Sequence, residues 1–207
     1  MKKVFAIVLS LVFIFLLASC GQQSTNNNPS QNANPITDNT ADTTQAPADS
    51  RISVTLNEQF TVGEVMTITL TSCEWCEEIL PSNTNGVYSY LSDNDGEKYF
   101  VVRGEIKNLA GEVLDITYCG EAEVLINGKY RVPANMDAED VDGNSFYGSV
   151  KSLQTLPLIV YASVSDELYN SCENVELTLN LINTEENVGY FYSDEYSHDS
   201  YVISFEK

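Results

Sequence analysis

Cysteines, one dense acidic loop and a run of tyrosines are the residues of this 207-residue chain whose types and spacing could do chemistry. Of five cysteines, Cys20 belongs to an apparent export segment at the start. Cys73, Cys76, Cys119 and Cys172 remain, an even number, and in an exported chain disulfides are the default. A redox role for Cys73-Glu74-Trp75-Cys76 would need the first thiol at a helix N-terminus. The motif instead follows the strand pattern Met66–Thr71. A zinc site of four thiolates usually uses two Cys-x-x-Cys halves, and only one is present. Structural bridges are therefore expected over either alternative.

Asp137, Glu139, Asp140, Asp142 and Asn144 form the densest acidic loop, DAEDVDGNS. Ca²⁺ takes six to eight hard oxygen ligands, and a loop of this kind could offer several. The EF-hand register fails, because Gly143 at its sixth position puts Ala138 at its first. Solvated loop acids are the plainer reading, and Ca²⁺ is the one cofactor left open. Tyr190, Tyr192 and Tyr196 crowd the end of the chain among acids. Rigid, polar-tipped rings of this sort can grip a sugar or a cationic peptide, or can pave a half-buried edge strand. Catalysis is not expected: His198 is the only histidine, and neither GxSxG nor HExxH is present.

Two features say where such residues would work. Net charge is −20, so a nucleic-acid partner is excluded, since phosphate neutralisation needs a basic surface. Lys2 and Lys3 precede an apolar run from Val4 to Leu17, shorter than the roughly 20 residues of a spanning helix. This reads as a secretory signal peptide over 1–19. Its end, Leu17-Ala18-Ser19-Cys20, resembles the bacterial lipoprotein lipobox, which implies lipidation of Cys20 and a membrane anchor. Two or three acyl chains hold where one would not. Residues 20–50 follow as an Asn/Thr/Pro-rich linker, too polar to repay ordering. The thirty residues after Cys20 give a mean reach of about 30 Å.

The elements that must position the candidates lie in residues 51–207, a domain of charge −19. Periodicity there is two: Ile52, Val54 and Leu56 alternate with polar residues, as do Met66, Ile68 and Leu70. Further strands are predicted at 87–91, 99–107, 113–118, 123–126, 156–164, 175–182, 189–192 and 201–205, with a turn at Asn127-Gly128 and a long connection over about 133–152. About ten short strands and no convincing amphipathic helix predict an all-β antiparallel sandwich, with a closed barrel as competitor.

YFVVRGEIKNLAGEVLDI (Tyr99 to Ile116), FTVGE (Phe60 to Glu64) and LPLIVYASVSDEL (Leu156 to Leu168) resemble the telokin-like, immunoglobulin-type domain of unknown function found in Gram-positive surface lipoproteins. The resemblance spans roughly 51–182 and implies an immunoglobulin-like sandwich. It brings no catalytic motif. It also implies that 156–164 pairs antiparallel with 99–107, which would carry Cys172 to the pole of Cys73 and Cys76; a strand over 113–118 would deliver Cys119 there too. Long-range bridges from Cys73 and Cys76 to Cys119 and Cys172 are then expected over a local Cys73–Cys76 ring.

The expected function is a non-catalytic surface lipoprotein, held on the outer face of a Gram-positive membrane, that binds or organises an envelope protein, peptide or glycan. A calcium or small-ligand sensor using the acidic loop is the alternative, and a spacer without ligand the third.

Overall fold

The structure, a computed structural model, describes residues 51–92, 94–188 and 197–207. The signal peptide and linker over 1–50, Cys20 included, and Tyr190, Tyr192 and Tyr196 lie outside the described residues.

The strands follow the two-residue alternation of the sequence. β1 (Ile52–Ser53), β2 (Gln59–Val62) and β3 (Met66–Cys76) open the domain. β4 (Glu78–Ile79) and β5 (Leu91–Ser92) form a small ladder beside β6 (Glu97–Asn108). β7 (Leu114–Asp115), β8 (Gly120–Ile126), β9 (Tyr130–Ala138) and β10 (Ser149–Val150) come next. β11 (Thr155–Ser165) runs into the helix α1 (Asp166–Ser171), and β12 (Asn174–Ile182) and β13 (His198–Glu206) complete the fold.

Nine of these strands form one sheet in the order β1-β13-β12-β8-β9-β11-β6-β3-β2. β9 is where it folds over: Tyr130–Ala134 pair with β8, whereas Asn135–Ala138 pair with β11. The two halves then face each other and bury one core. Val175, Leu177, Leu179, Ile203 and Phe205 meet Phe100, Val102, Ile106, Leu158 and Val160 across it. At the free edges Phe60 packs on Tyr201 with ring centroids 4.7 Å apart, and the Tyr201 hydroxyl donates to the Thr61 carbonyl at 3.1 Å.

A β-bulge decides which face of β3 holds its cysteines. Met66, Ile68 and Leu70 point inward, the register slips between Leu70 and Ser72, and Cys73 and Trp75 then take the inward face. An extra residue of this kind shifts the alternation by one. β6 accommodates the displaced backbone with Gly104, where a Cβ would stand 2.3 Å from the Thr69 carbonyl oxygen.

β6 and β11 are apolar on their inner face and, in the middle, on their outer face as well. Their outer face carries Val101 and Ile159, which with Ile79 and Phe146 form a second, smaller core. The segments that cover it connect β4 to β5 and β9 to β10. Of the expected strand 87–91 only Leu91 is strand, as the first residue of β5. The expected connection over 133–152 begins instead as β9. Pro133 masks that strand in the sequence, because proline cannot donate to a ladder; here it stands opposite Glu123 of β8. Asn127 and Gly128, both at positive φ, make the predicted hairpin turn.

Cysteine placement departs from expectation. No disulfide forms among the described residues. Residues 113–118 are not a full strand but the two residues of β7 and a 3₁₀ turn over Ile116–Tyr118, so the chain stays at the Asn108 end instead of climbing back. Cys119 sits beside Ile182, whose N–H donates to its carbonyl at 3.0 Å. Cys172 lies at the other end of β12, about 26 Å away by strand rise. Cys73 and Cys76 occupy one extended strand and face opposite cores. Three extended residues put their Cα atoms about 10 Å apart, beyond the roughly 7 Å that a bridge tolerates. The expected bridges to Cys119 are thus corrected, and the local ring, which was not expected, is out of reach as well.

Cys119 instead donates its thiol to the Asp115 carbonyl at 3.1 Å. Burial, with Asp115 nearby, pushes its pKa up to about 12. Relative to an ordinary thiol, this lowers the thiolate fraction by about a thousandfold, and the thiolate is the nucleophile. Timed alkylation at pH 8 followed by peptide mapping should label Cys119 at least about 100-fold more slowly than in denatured protein. Recovery of a Cys119 disulfide peptide, or labelling at the denatured rate, would contradict this placement.

Candidate functional site

Two loops, 80–90 and 139–148, lie over the second core and latch onto each other. The hydrophobic seat comes from Ile79 and Phe146, buried against Val101 and Ile159. Glu139 is the latch. It is buried, and its carboxylate accepts two hydrogen bonds from the Ser82 N–H (3.1 and 3.2 Å) and one from the Ser82 hydroxyl (2.5 Å). Two donors from another loop, the N–H shared between both oxygens, replace the water that a buried carboxylate loses. The Asn83 N–H donates to the Gly143 carbonyl at 2.8 Å, and its side-chain amide to the Asp142 carbonyl at 2.9 Å. The Ser89 N–H donates to the Asn144 carbonyl at 2.9 Å. Gly143, at φ +66°, lets the strands of the latch approach: a Cβ there would stand 2.6 Å from the Ser82 hydroxyl oxygen.

Three of the acidic residues singled out in the sequence, Asp137, Glu139 and Asp140, are spent on this architecture. Asp137 accepts from the Tyr161 hydroxyl at 3.1 Å, and burial pushes its pKa up. Asp140 ties its own loop together, accepting from the Asn144 N–H and the Ser145 hydroxyl at 3.0 Å each. These bonds, the Asn144 one first, hold its carboxyl below the usual range. Asn144 contributes its backbone, and Asp142 is exposed. The carboxylates point to different partners, and no group of three metal-ligating side chains stands together among the described residues.

What the latch presents outward is apolar and aromatic. Val87 is 93% exposed, Tyr147 80% and Val141 70%, and Leu80, Tyr88 and Tyr90 are exposed with them. Tyr88 and Tyr90 lie against each other, ring centroids 6.2 Å apart. Exposed rings on short loops rich in Ser, Asn and Gly are the composition of binding loops, since a tyrosine gives area at low entropic cost. The strings SNTNGVYSY and NSFYGS carry that signal; 59 residues separate Tyr88 from Tyr147, so nothing local joins them.

A groove of about 620 Å³ opens where β9 leaves β8. Glu121, Glu123, Arg131, Asn135, Asp137 and Asn180 line it with the Ile116–Thr117 turn, and no histidine or cysteine does. Arg131 pairs with Glu123 within it.

Solved structures give the fold its context. The chain is similar to an uncharacterized β-sandwich protein from Clostridium difficile 630, with 18% identity, a TM-score of 0.60, and coverage of 77% of this chain and 98% of that one. This protein folds as a β-sandwich. Looser similarity links it to a conserved hypothetical protein from Bacillus anthracis (12% identity, TM-score 0.39, 70% of this chain and 92% of that one). The yjhA protein from Bacillus subtilis is similar at 11% identity and a TM-score of 0.40, with 70% and 96% covered. No family model matches the sequence, and no curated protein matches it.

Proposed function

We propose that this chain is a bacterial surface lipoprotein whose β-sandwich is a non-catalytic binding module, lipid-anchored through Cys20 to the outer face of a Gram-positive membrane. The observation that carries the binding role is the latched loop pair, with Tyr88, Tyr90 and Tyr147 exposed on a fixed support. Maintaining that much apolar surface in water favours association, and a patch of this kind marks an interaction site. The Leu17–Cys20 lipobox and the polar linker support the anchor and the reach. The likeness of residues 99–116 and 156–168 to the telokin-like, immunoglobulin-type lipoprotein domain supports the same compartment. The ligand class in this reading is an envelope peptide, protein or glycan.

Peptide and glycan arrays probed with wild-type protein test the binding role: a reproducible hit that fades in Tyr88→Ser/Tyr147→Ser supports it, and silence on both arrays contradicts it. The anchor has its own test. Cys20→Ala is expected to release the domain into the medium or stall its processing. Membrane retention with unchanged mobility and detergent partitioning would identify an uncleaved helix as the anchor instead.

A further inference from the structure

The geometry points to a second binding site, separate from the loop pair: an aromatic cage for a primary alkylammonium group, filled in this structure by the protein's own Lys207. α1 begins where the Ser165 hydroxyl accepts from the Leu168 N–H, and it carries Tyr169 onto Trp75 of β3. The two rings meet edge-on, centroids 5.1 Å apart, and Trp75 lies 5.1 Å from Phe100 on its other side. The Lys207 ammonium stands 3.7 Å from the centroid of Tyr169 and 5.9 Å from that of Trp75. The Lys98 ammonium lies farther from the same Tyr169 ring, at 5.5 Å, and is already neutralised by Glu77 at 2.7 Å, so it remains in place when Lys207 is removed. It also donates to the Tyr169 carbonyl. Ring faces and a carbonyl acceptor together are what an ammonium requires once it leaves water.

Lys207 shows what fits, and its exposure shows that it can be displaced. The residue is exposed, and its backbone is held by one hydrogen bond to the Glu173 carbonyl at 3.1 Å. A cation over an exposed ring gains no more than about tenfold in affinity. As a tethered occupant Lys207 nevertheless competes at a high effective concentration, and so lowers the apparent affinity for any free amine. Beside it opens a cavity of about 190 Å³ lined by Cys73, Trp75, Phe100, Val175 and Phe205, room for the alkyl stem that carries an ammonium. Glu74 and Glu206 rim that cavity, and the net charge of −20 concentrates cations around it. The carbonyl acceptor favours a primary ammonium over a quaternary one, which has no N–H to donate.

Trp75 is the only tryptophan in the chain, so its fluorescence reports on the cage directly. The test titrates the full chain in detergent with Nα-acetyl-lysine methylamide, n-butylammonium and tetramethylammonium, against sodium chloride at equal ionic strength. Lys207→Ala, an exposed substitution, is expected to give a saturable Trp75 signal with both primary amines, at least fivefold tighter than wild type and tighter than with tetramethylammonium. Adding Tyr169→Leu, which keeps bulk without the ring face, should abolish it. A lysine peptide that outbinds n-butylammonium more than tenfold puts the ammonium on a protein, whereas equal affinities put it on a small amine or polymer; both support the cage. No saturable signal above sodium chloride in Lys207→Ala, or an unchanged signal after Tyr169→Leu, would overturn it.

Discussion

Asn108→Ala should lower the melting temperature by about 10 °C, the largest loss expected from a single polar side chain here. Asn108 is fully buried at the end of β6. Its amide donates to the Glu112 carbonyl at 2.7 Å and the Val150 carbonyl at 2.9 Å, and its carbonyl accepts from the Ala110 N–H at 2.7 Å. It thereby closes the turn after β6 and fastens that turn to β10. Truncation leaves two carbonyls short of a donor. The Ala110 N–H keeps a 3.2 Å bond to the Val65 carbonyl and loses less. At about 1–1.5 kcal/mol for each buried bond removed, the total is about 3 kcal/mol. Asn108→Asp distinguishes this account from a generic packing loss: it preserves the acceptor for Ala110 but turns oxygen toward the two carbonyls, and should do no better than alanine. A shift under 2 °C for Asn108→Ala, read by calorimetry, would contradict the role given to this side chain.

Glu139→Ala is expected to cost about 2–3 kcal/mol and to free the two loops while the sandwich persists. Ser82 would lose the acceptor for its N–H and its hydroxyl together, and the carboxylate has no substitute nearby in alanine. Hydrogen exchange should therefore accelerate across 80–92 and 139–148 and remain slow in β6, β11 and β12. Glu139→Gln keeps one acceptor oxygen and should fall between. Uniform acceleration across the whole domain, or none, would mean that the latch is not what holds the loops.

Strands with one clean inward face were legible from the residues alone. β3, β11 and β12 follow directly from alternating Met, Ile, Leu and Val, and β6 follows from an apolar run bounded by turn signals. β9 was hidden because Pro133, Asn135 and Asp137 read as a connection, although a strand shared between two halves needs few ladder donors on either side. The same difficulty misplaced Cys119: Val113 to Tyr118 looks extended, yet a turn after two paired residues keeps the chain at one pole. At the candidate site the acidic loop was visible but its work was not, since a carboxylate that binds a backbone N–H looks the same in sequence as one that binds a cation. Tyr88, Tyr90 and Tyr147 escaped notice because only the folding of the sheet at β9 brings their loops together.

That these loops form the binding surface is the central claim, and comparison of two tyrosine pairs tests it most directly. Tyr88→Ser/Tyr147→Ser alters the latched loops; Tyr118→Ser/Tyr130→Ser alters exposed tyrosines elsewhere and serves as the control. Calorimetric titration of each with the strongest array ligand should show at least a tenfold loss for the first pair, about 1.4 kcal/mol, and less than a twofold change for the second. Equal losses in both, or a loss confined to the control pair, would contradict the assignment of the surface.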